Sequence, residues 1–428
     1  MASRLKEKIS KLRKAELFEA FSTTSVATGF QLLTGLIINK VLAVAVGPAG
    51  IAFAGQFVNF KTLATNVASG SFGNGVTKYI SDEDFGNQQV IATSNLFTLT
   101  ASVITGLVII LLREQLSVLL LKDADYSYLF VVFGFLLPLT ALNTLLIASV
   151  NGFRNYRVLA YLKITNNSIG LILSVALVLS LKLDGALLAY AINSSVVFLV
   201  SLLILHYYYS INGLLSFTLR FFDSKLLKKL LAFTLMALTS AQLKPLVQLF
   251  IRDYILQNGG EFDAGLWQAM IILSAKYTSI ITATLGVYYL PKLSSLTDNE
   301  AIRKEILFGM KAMLSLFLVM AVVIFVTRDW IIIILYSREF LGMSHLFFPQ
   351  LTGDFFMLFS FSISYLLLAK AMTKIFIYSQ LFFSATRVVL SIYMFGIYGV
   401  EGVIWANAIN YIMYSIFVII IFRKLLFK

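Results

Sequence analysis

Long runs of apolar residues, separated by short polar segments, dominate this 428-residue chain. A helix that crosses a bilayer needs about 20 mainly apolar residues. The pattern predicts twelve such helices, at roughly 18–46, 51–80, 88–112, 127–150, 156–181, 185–209, 226–256, 264–292, 303–327, 345–371, 374–397 and 402–422. The connections between them are too short to hold a soluble domain. The sequence therefore predicts an all-α integral membrane protein with twelve transmembrane helices.

The two halves of the chain resemble each other. The string that begins at Asp184 (Asp-Gly-Ala-Leu-Leu-Ala-Tyr-Ala-Ile-Asn) returns in the second half, from Glu401 onward, as Glu-Gly-Val-Ile-Trp-Ala-Asn-Ala-Ile-Asn. Gln56 and Gln268 are related by a similar offset. Because six helices per half is an even number, the two repeats have parallel topology about an axis along the membrane normal.

The longest predicted inner connection, at about 207–225, divides the chain between the two repeats. We predict an N-terminal lobe at 1–210 with helices 1–6, a cytoplasmic linker at 211–225, and a C-terminal lobe at 226–428 with helices 7–12. Since this arrangement builds a cavity within one chain, we expect the protein to function as a monomer.

Composition supports a membrane location. Hydrophobic residues make up 59% of the chain and charged residues 13%, which lies outside the range of soluble domains. The net charge of +13 raises the question of nucleic-acid binding, but the basic residues are scattered over short loops and form no basic stripe. We therefore expect no nucleic-acid partner. With no cysteine, disulfide and thiol chemistry are excluded.

The distribution of Lys and Arg predicts the orientation of the chain. With the N-terminus in the cytoplasm, the inner segments hold 21 of these residues and the outer segments hold six. The six predicted outer residues are Arg113, Lys122, Lys182, Arg252, Arg328 and Arg338. The basic N-terminal tail leads into a long apolar run without a cleavage site, which indicates a retained helix and not a signal peptide. Both termini are thus predicted to be cytoplasmic.

Basic residues within the apolar helices are the strongest indication of function. A charge at bilayer depth is unfavourable unless it faces a cavity, a partner or the interface. We predict that a cationic, substrate-binding cavity is lined by Lys61, Lys276, Arg387 and Lys244. The alternative for each is that the side chain extends along its helix to the headgroups. That alternative applies best to Lys40, Lys163 and Lys311.

One acidic residue and several helix-breaking residues complete the candidate site. Asp354, in predicted helix 10, either pairs with a nearby lysine or takes and releases a proton during transport. Pro245 removes a backbone donor within helix 7, and Gly73 and Gly75 lie near the inner end of helix 2. We consider these three residues as possible gating or hinge positions, because alternating access requires helices that bend.

No enzyme motif is found in the sequence. His206 and His345 have no carboxylate cluster at metal-ligand spacing, and no glycine-rich phosphate loop with a lysine is present. We expect no cofactor, no metal and no catalytic activity. Three other functions remain open. A drug or cation exporter would need acidic residues in its cavity, a membrane glycan polymerase or glycosyltransferase would need large outer loops, and a general sugar or ion transporter would not need a cationic interior.

Several strings resemble those of the Wzx-type flippases of bacterial surface polysaccharides, within the multidrug/oligosaccharidyl-lipid/polysaccharide (MOP) exporter superfamily. The resemblance is to the O-antigen and lipid III flippase branch in particular. The strings extend over both halves of the chain, so that the resemblance covers nearly its whole length. They are Val46–Gly50, Asn74–Tyr79, Phe233–Leu238, Val287–Ser294 and Gln350–Asp354.

The resemblance implies two six-helix lobes that form a V around a central cationic cavity, as in MATE transporters. It also implies a substrate, undecaprenyl diphosphate carrying an oligosaccharide repeat unit, that moves from the cytoplasmic to the periplasmic leaflet of the bacterial inner membrane. Arginine and lysine side chains suit the charges of such a diphosphate. Membrane lipid, a polymerase and a chain-length regulator are the further partners that we consider.

Overall fold

The computed structural model of the protein describes residues 2–82, 85–208, 211–284, 289–370 and 372–427. Within these ranges, side chains are not described at 2–22, 24–25, 82, 211–212, 232–241, 283–284 and 290–291. Part of predicted helix 8, at 285–288, therefore lies outside the described residues. The side chains of the string Phe233–Leu238 and part of the string Val287–Ser294 lie outside them as well.

The described residues form α-helices and short 3-10 turns, with no β-strand among them. The prediction of an all-α protein is confirmed. The helices are α1 (Ala2–Ala68), α2 (Gly73–Asp82), α3 (Asn87–Leu111), α4 (Arg113–Leu121), α5 (Ser127–Gly152), α6 (Tyr156–Tyr208), α7 (Ile211–Leu214), α8 (Ser224–Asn258), α9 (Gly260–Thr284), α10 (Leu290–Ser295), α11 (Asn299–Val326), α12 (Arg328–Leu335), α13 (Phe347–Ala369) and α14 (Thr373–Phe427).

Three of these helices are long enough for two predicted transmembrane segments each. Helices α1, α6 and α14 have 67, 53 and 55 residues, whereas about 20 residues suffice for one crossing. Each is interrupted by a residue with a left-handed backbone, at Gly47 (φ 62°), Lys182 (φ 51°) and Gly399 (φ 59°). By length and hydropathy, seven helices of the described chain can cross a membrane, and the three long ones are among them. The predicted count of twelve crossings is consistent with these lengths.

The internal repeat is visible in the backbone. The left-handed residues of α6 and α14, Lys182 and Gly399, are related by the same offset as the strings that begin at Asp184 and Glu401. A Cβ atom at Gly185 would overlap the carbonyl oxygen of Leu177, and one at Gly402 would overlap that of Met394. This offset relates these two close approaches as well. Both halves thus form the same packing after the interruption, and only glycine fits there.

Alanine at either of these glycines is expected to destabilise the protein. We expect Gly185→Ala and Gly402→Ala each to lower the free energy of unfolding by about 1–3 kcal/mol, because the new methyl group overlaps a backbone carbonyl. Gly396→Ala, also in α14, is the matched control, since nothing lies within 4 Å of its added Cβ. Thermal unfolding of the purified variants in detergent measures the difference. Equal melting temperatures for Gly402→Ala and Gly396→Ala would contradict the prediction.

Contacts divide the chain into two compact units. The first unit comprises Met1–Val41 and Phe60–Leu238, and the second comprises Leu42–Asn59 and Thr239–Lys428. Helices α1 and α8 therefore each contribute residues to both units. The lobe and linker boundaries given from the sequence stay a prediction.

The segment that connects α6 to α8 is fixed on α3 within the first unit. The Asn95 side chain donates to the carbonyl oxygens of Leu214 and Ser216, at 3.1 and 3.5 Å. The backbone N–H of Asp223 donates to the Thr93 hydroxyl at 3.0 Å. The Asp223 carboxylate in turn accepts from the first backbone N–H groups of α8, as an N-cap residue does. This connection is therefore packed against the helices and not a loose tether.

The main chain breaks close to the predicted hinge glycines but not at them. Gly70 and Ser71 have left-handed backbones, with φ of 60° and 52°, and they separate α1 from α2. Gly73 and Gly75 lie within α2, after this break. Pro245 is buried inside α8, and the helix continues past it. A hinge function for Gly73, Gly75 and Pro245 stays a prediction.

Candidate functional site

Two cations and one acid are brought together in the second unit. Lys244 on α8 interacts electrostatically with Arg387 on α14, and both interact with Asp354 on α13. The Lys244 side chain is exposed and that of Arg387 is half-buried. The Nε of Arg387 is buried and has no hydrogen-bond partner among the described residues. Since two positive charges outnumber one negative charge, this region attracts anions.

Neutral donors hold the carboxylate of Asp354, which is 1% exposed. Its Oδ2 accepts hydrogen bonds from the Tyr277 hydroxyl at 2.5 Å and the Ser274 hydroxyl at 2.8 Å. Its Oδ1 accepts from the Gln350 amide at 2.9 Å. Within the described part of the chain, no lysine or arginine lies in ion-pair contact with Asp354, so the lysine pair, one of the two alternatives from the sequence, is not formed. The positive charges of Lys244 and Arg387 are therefore available to bind an anion.

Lys276 is not part of this group. It lies on α9, and its side chain is half-buried. Among the described residues, its ammonium group has no hydrogen-bond partner, and no electrostatic interaction with Lys244, Arg387 or Asp354 is found. Within the part of the chain that the structure describes, Lys276 thus has no acidic partner, and it does not belong to the group formed by Lys244, Arg387 and Asp354. Its predicted role in substrate binding stays a prediction.

Lys61 lies in the first unit, and neutral groups hold its ammonium. The Nζ atom donates to the carbonyl oxygen of Tyr190 at 2.6 Å and to the Ser194 hydroxyl at 2.9 Å. Both acceptors lie on α6, after its left-handed residue. These bonds satisfy the hydrogen-bonding capacity of the ammonium only in part, since it has three donors. Substrate binding by Lys61 stays a prediction.

One fully buried cation, Arg252, was not recognised as such in the sequence. Arg252 was placed in an outer segment, which is wrong, because it lies within α8 and is 0% exposed. Its guanidinium donates to the side-chain oxygen of Gln56 at 2.8 Å and to that of Gln268. The Trp267 ring lies 5.4 Å from the guanidinium carbon, a distance at which a cation–π interaction forms.

The internal repeat is the sequence signal that could have revealed this cluster. Gln56 and Gln268, which the repeat relates, bind the same guanidinium. One turn along α8, Gln248 accepts a hydrogen bond from Asn59 at 3.2 Å. These polar contacts fix segment 42–59 against α8 and α9 within the second unit. A structural role for Arg252 follows from its complete burial.

Replacement of Arg252 is expected to destabilise the second unit. We expect Arg252→Met to lower the free energy of unfolding by about 2–4 kcal/mol, because two buried glutamine oxygens lose their donors. Arg338→Met is the matched control, since Arg338 is exposed in the same unit. Thermal unfolding in detergent gives the comparison. If both variants melt at the wild-type temperature, Arg252 does not hold segment 42–59.

Sequence comparison places the chain in a family. A family model described as "polysaccharide biosynthesis protein" matches residues 57–345, which is more than half of the chain. The chain belongs to this family. The chain is 30% identical over 409 residues to the lipid III flippase of Escherichia coli (strain K12), covering 94% of this chain and 96% of that protein. The lipid III flippase of Shigella flexneri matches to the same extent. The resemblance stated from the sequence strings is confirmed.

Solved structures show the fold of the chain. A MATE family multidrug resistance transporter of the MOP superfamily, in an inward-facing conformation, matches with a TM-score of 0.72 and 15% identity, covering 95% of this chain and 98% of that one. An outward-facing MATE transporter matches with a TM-score of 0.62 and 16% identity. A MOP superfamily transporter from Pyrococcus furiosus matches with a TM-score of 0.61 and 15% identity. Each match covers 96% of both chains. The predicted MOP/MATE-like fold is confirmed.

Proposed function

We propose that this protein is a flippase for lipid-linked oligosaccharides. Its substrate would be an undecaprenyl-diphosphate-linked repeat unit of O-antigen or a related surface glycan, moved from the cytoplasmic to the periplasmic leaflet by alternating access. The observation that carries the proposal is the pair Lys244 and Arg387, two cations in apolar helices that share one acid. The 30% identity to lipid III flippases supports the same conclusion.

The chemistry of the substrate explains why the cations are needed. A lipid diphosphate carries about two negative charges, and a bare anion in hydrocarbon is unfavourable by tens of kcal/mol. The polyprenyl tail, in contrast, can remain in lipid throughout transport. Arg387 offers a planar fork for two phosphate oxygens, whereas Lys244 offers a mobile point charge. We propose Lys276 and Lys61 as further contacts of the diphosphate or of acidic sugars.

Asp354 is proposed as the group that couples transport to protons. Its negative charge acts on Lys244 and Arg387 and weakens their attraction for an anion. Protonation of Asp354 removes that competing charge and strengthens substrate binding, whereas loss of the proton favours release. Pro245, Gly73 and Gly75 are proposed as the positions where helices bend during the cycle.

Two other functions account less well for these residues. A drug or cation exporter shares the fold, but Lys244 and Arg387 repel organic cations. A membrane glycan polymerase would be an enzyme, whereas the relatives at 30% identity are named flippases. We therefore propose transport without catalysis. Partners such as a polymerase and a chain-length regulator belong to this proposal, as does monomeric function.

The proposed location is the bacterial inner membrane, with both termini in the cytoplasm. The charge bias between inner and outer segments supports it, and the bias increases once Arg252 is counted within α8, which leaves five outer basic residues. The predicted cytoplasmic linker at 211–225 and the lobes at 1–210 and 226–428 are part of the same topology.

Deletion and restoration of the gene test this function in the host. We expect polyprenyl-diphosphate-linked repeat units to accumulate in the deletion strain and to clear when the gene returns, with surface glycan rising in parallel. The drug-susceptibility profile is measured in the same strains as a control for the exporter. Normal levels of the lipid-linked intermediate, together with altered drug susceptibility, would favour the exporter over the flippase.

A further inference from the structure

Polar stripes face each other on the two legs of α14, at 373–398 and 400–427. Along the first leg, Gln380, Arg387 and Ser391 recur at spacings of seven and four residues, which places them on one face. The second leg presents Tyr414 and Tyr411 toward them. Tyr414 is hydrogen-bonded to Gln380, and Tyr411 interacts electrostatically with Arg387. A polar seam therefore runs between the legs, and we call it the α14 seam.

Several buried atoms of the α14 seam have no hydrogen-bond partner among the described residues. They are the Nε of Arg387, the hydroxyl of Ser391 and the amide oxygens of Asn407 and Asn410, which lie seven and four residues before Tyr414 and so share its face of the second leg. The side chains of Ser391, Asn407 and Asn410 are 2%, 5% and 6% exposed. Buried polar atoms without a partner are rare in proteins, and ordered water satisfies them where space permits. Water molecules in the seam would therefore supply the missing hydrogen bonds of these atoms.

The internal repeat supports the geometry of the seam. Gly170 and Asn193 are the first-repeat counterparts of Arg387 and Asn410, at the offset that relates the two strings. A Cβ atom at Gly170 would lie 3.0 Å from the side-chain nitrogen of Asn193. The equivalent position in the second repeat carries the side chain of Arg387, which therefore starts beside Asn410. The first repeat has glycine at this position, so a charged residue is present there only in the second repeat.

A cavity of about 160 Å³ lies at one end of the α14 seam, between α8 and α14. Asp253 and Gln257 on α8 and Ser391 on α14 give it polar groups, and the rest of its lining is mainly apolar, including Val403 on the second leg of α14. Gln257 is exposed and donates to the Asp253 carboxylate at 2.6 Å. The volume holds more than one water molecule. The unpartnered hydroxyl of Ser391 belongs both to the cavity and to the seam, and so connects them.

We propose that the cavity and the α14 seam form a hydrated path that carries water, and with it protons, from the predicted outer side to Arg387 and Asp354. Ser391 and Arg387 are one helical turn apart, about 6 Å along the axis. Arg387 in turn interacts with Asp354. The titratable groups that face the path are Asp253, Tyr254, Tyr411, Tyr414, Arg387, Lys244 and Asp354. The use of the path in coupling rests on the proposed function, whereas its hydration does not.

Thiol reactivity tests the hydration directly, because the chain has no cysteine of its own. Ser391→Cys, Asn407→Cys and Val389→Cys are compared, with Gln257→Cys as an exposed reference at the cavity. Val389 is 65% exposed on the opposite face of the same leg. Silver ions are added to intact cells, and the remaining free thiols are labelled with a maleimide after denaturation.

Thiols react as thiolates, which form readily only in contact with water. We expect the cysteines at 391 and 407 to react at least about ten-fold faster than the one at 389. If both react as slowly as Val389→Cys while Gln257→Cys reacts fully, the path is refuted. Reaction at 391 without reaction at 407 would also refute it, since the cavity would then end at Ser391.

A second pair of variants tests whether transport uses the path. Ser391→Leu fills the seam, whereas Ser391→Ala leaves it open. We expect several-fold lower surface glycan with Ser391→Leu than with Ser391→Ala at equal protein levels. Equal glycan in both would exclude a role in coupling. The silver experiment requires no transport, so failure of the hydrated path is distinguishable from failure of the proposed flippase function.

Discussion

Asp354→Leu is expected to lower the free energy of unfolding by about 2–5 kcal/mol, because three buried donors lose their acceptor at once. These donors are the hydroxyls of Ser274 and Tyr277 and the amide of Gln350. Tyr277→Phe removes only one of the three bonds and is expected to cost about 1 kcal/mol. Thermal unfolding of the purified variants in detergent gives both values.

The control for this prediction lies on the same helix. Thr352 is close to Asp354 in sequence, but among the described residues its hydroxyl bonds only to the Phe348 carbonyl of its own helix. Thr352→Leu is therefore expected to melt close to the wild-type temperature. If Asp354→Leu were as stable as Thr352→Leu, the hydrogen-bonded carboxylate would not hold α9 and α13 together.

Neutralisation of Lys244 and Arg387 is expected to abolish most transport. Each charge-assisted hydrogen bond to a phosphate contributes about 1.5–3 kcal/mol, so the double variant Lys244→Gln with Arg387→Gln is expected to bind the substrate about 100-fold or more weakly. Arg387→Lys keeps the charge but loses the planar fork, and a smaller loss is expected. Surface glycan and lipid-linked intermediate are measured in the deletion strain at equal levels of membrane protein.

Lys311→Gln is the matched control for charge removal. Lys311 also lies within an apolar helix, α11, but its side chain is exposed and belongs to the group predicted to reach the headgroups. We expect wild-type glycan levels for this variant. Wild-type levels for the double variant as well would remove Lys244 and Arg387 from the substrate site.

The positions of the helices were largely predictable from the sequence. Lipid dictates the length of an apolar crossing, so that the apolar runs located the helices without any tertiary information. The junctions were harder. In α1, α6 and α14, one left-handed residue replaces a loop, at Gly47, Lys182 and Gly399. Near Gly73 and Gly75, the helix break falls earlier, at Gly70 and Ser71. Glycine adopts a positive φ readily, and with three glycines close together the sequence does not show which of them marks the break.

The partners of the buried polar residues were not predictable. Membrane helices are apolar around much of their surface, so the sequence does not reveal which face of one helix meets which face of the next. The bonds from Ser274 and Tyr277 on α9 to Asp354 on α13 depend on that meeting. The sequence left open whether Asp354 pairs with a lysine or carries a proton. Arg252 lies close to the end of an apolar run and therefore resembled a residue of the interface. The repeat-related glutamines, Gln56 and Gln268, are the one sequence feature that could have indicated its position.

Reconstitution of the purified protein with its proposed substrate tests the central claim most directly. Proteoliposomes carry a polyprenyl-diphosphate-linked oligosaccharide in both leaflets, and a membrane-impermeant glycosidase reports the fraction that is accessible from outside. With wild-type protein, we predict that the inaccessible fraction becomes accessible, and that it stays protected with the Lys244→Gln, Arg387→Gln double variant. If the inner-leaflet glycolipid stays protected with folded wild-type protein, with or without a proton gradient, the protein does not translocate this lipid.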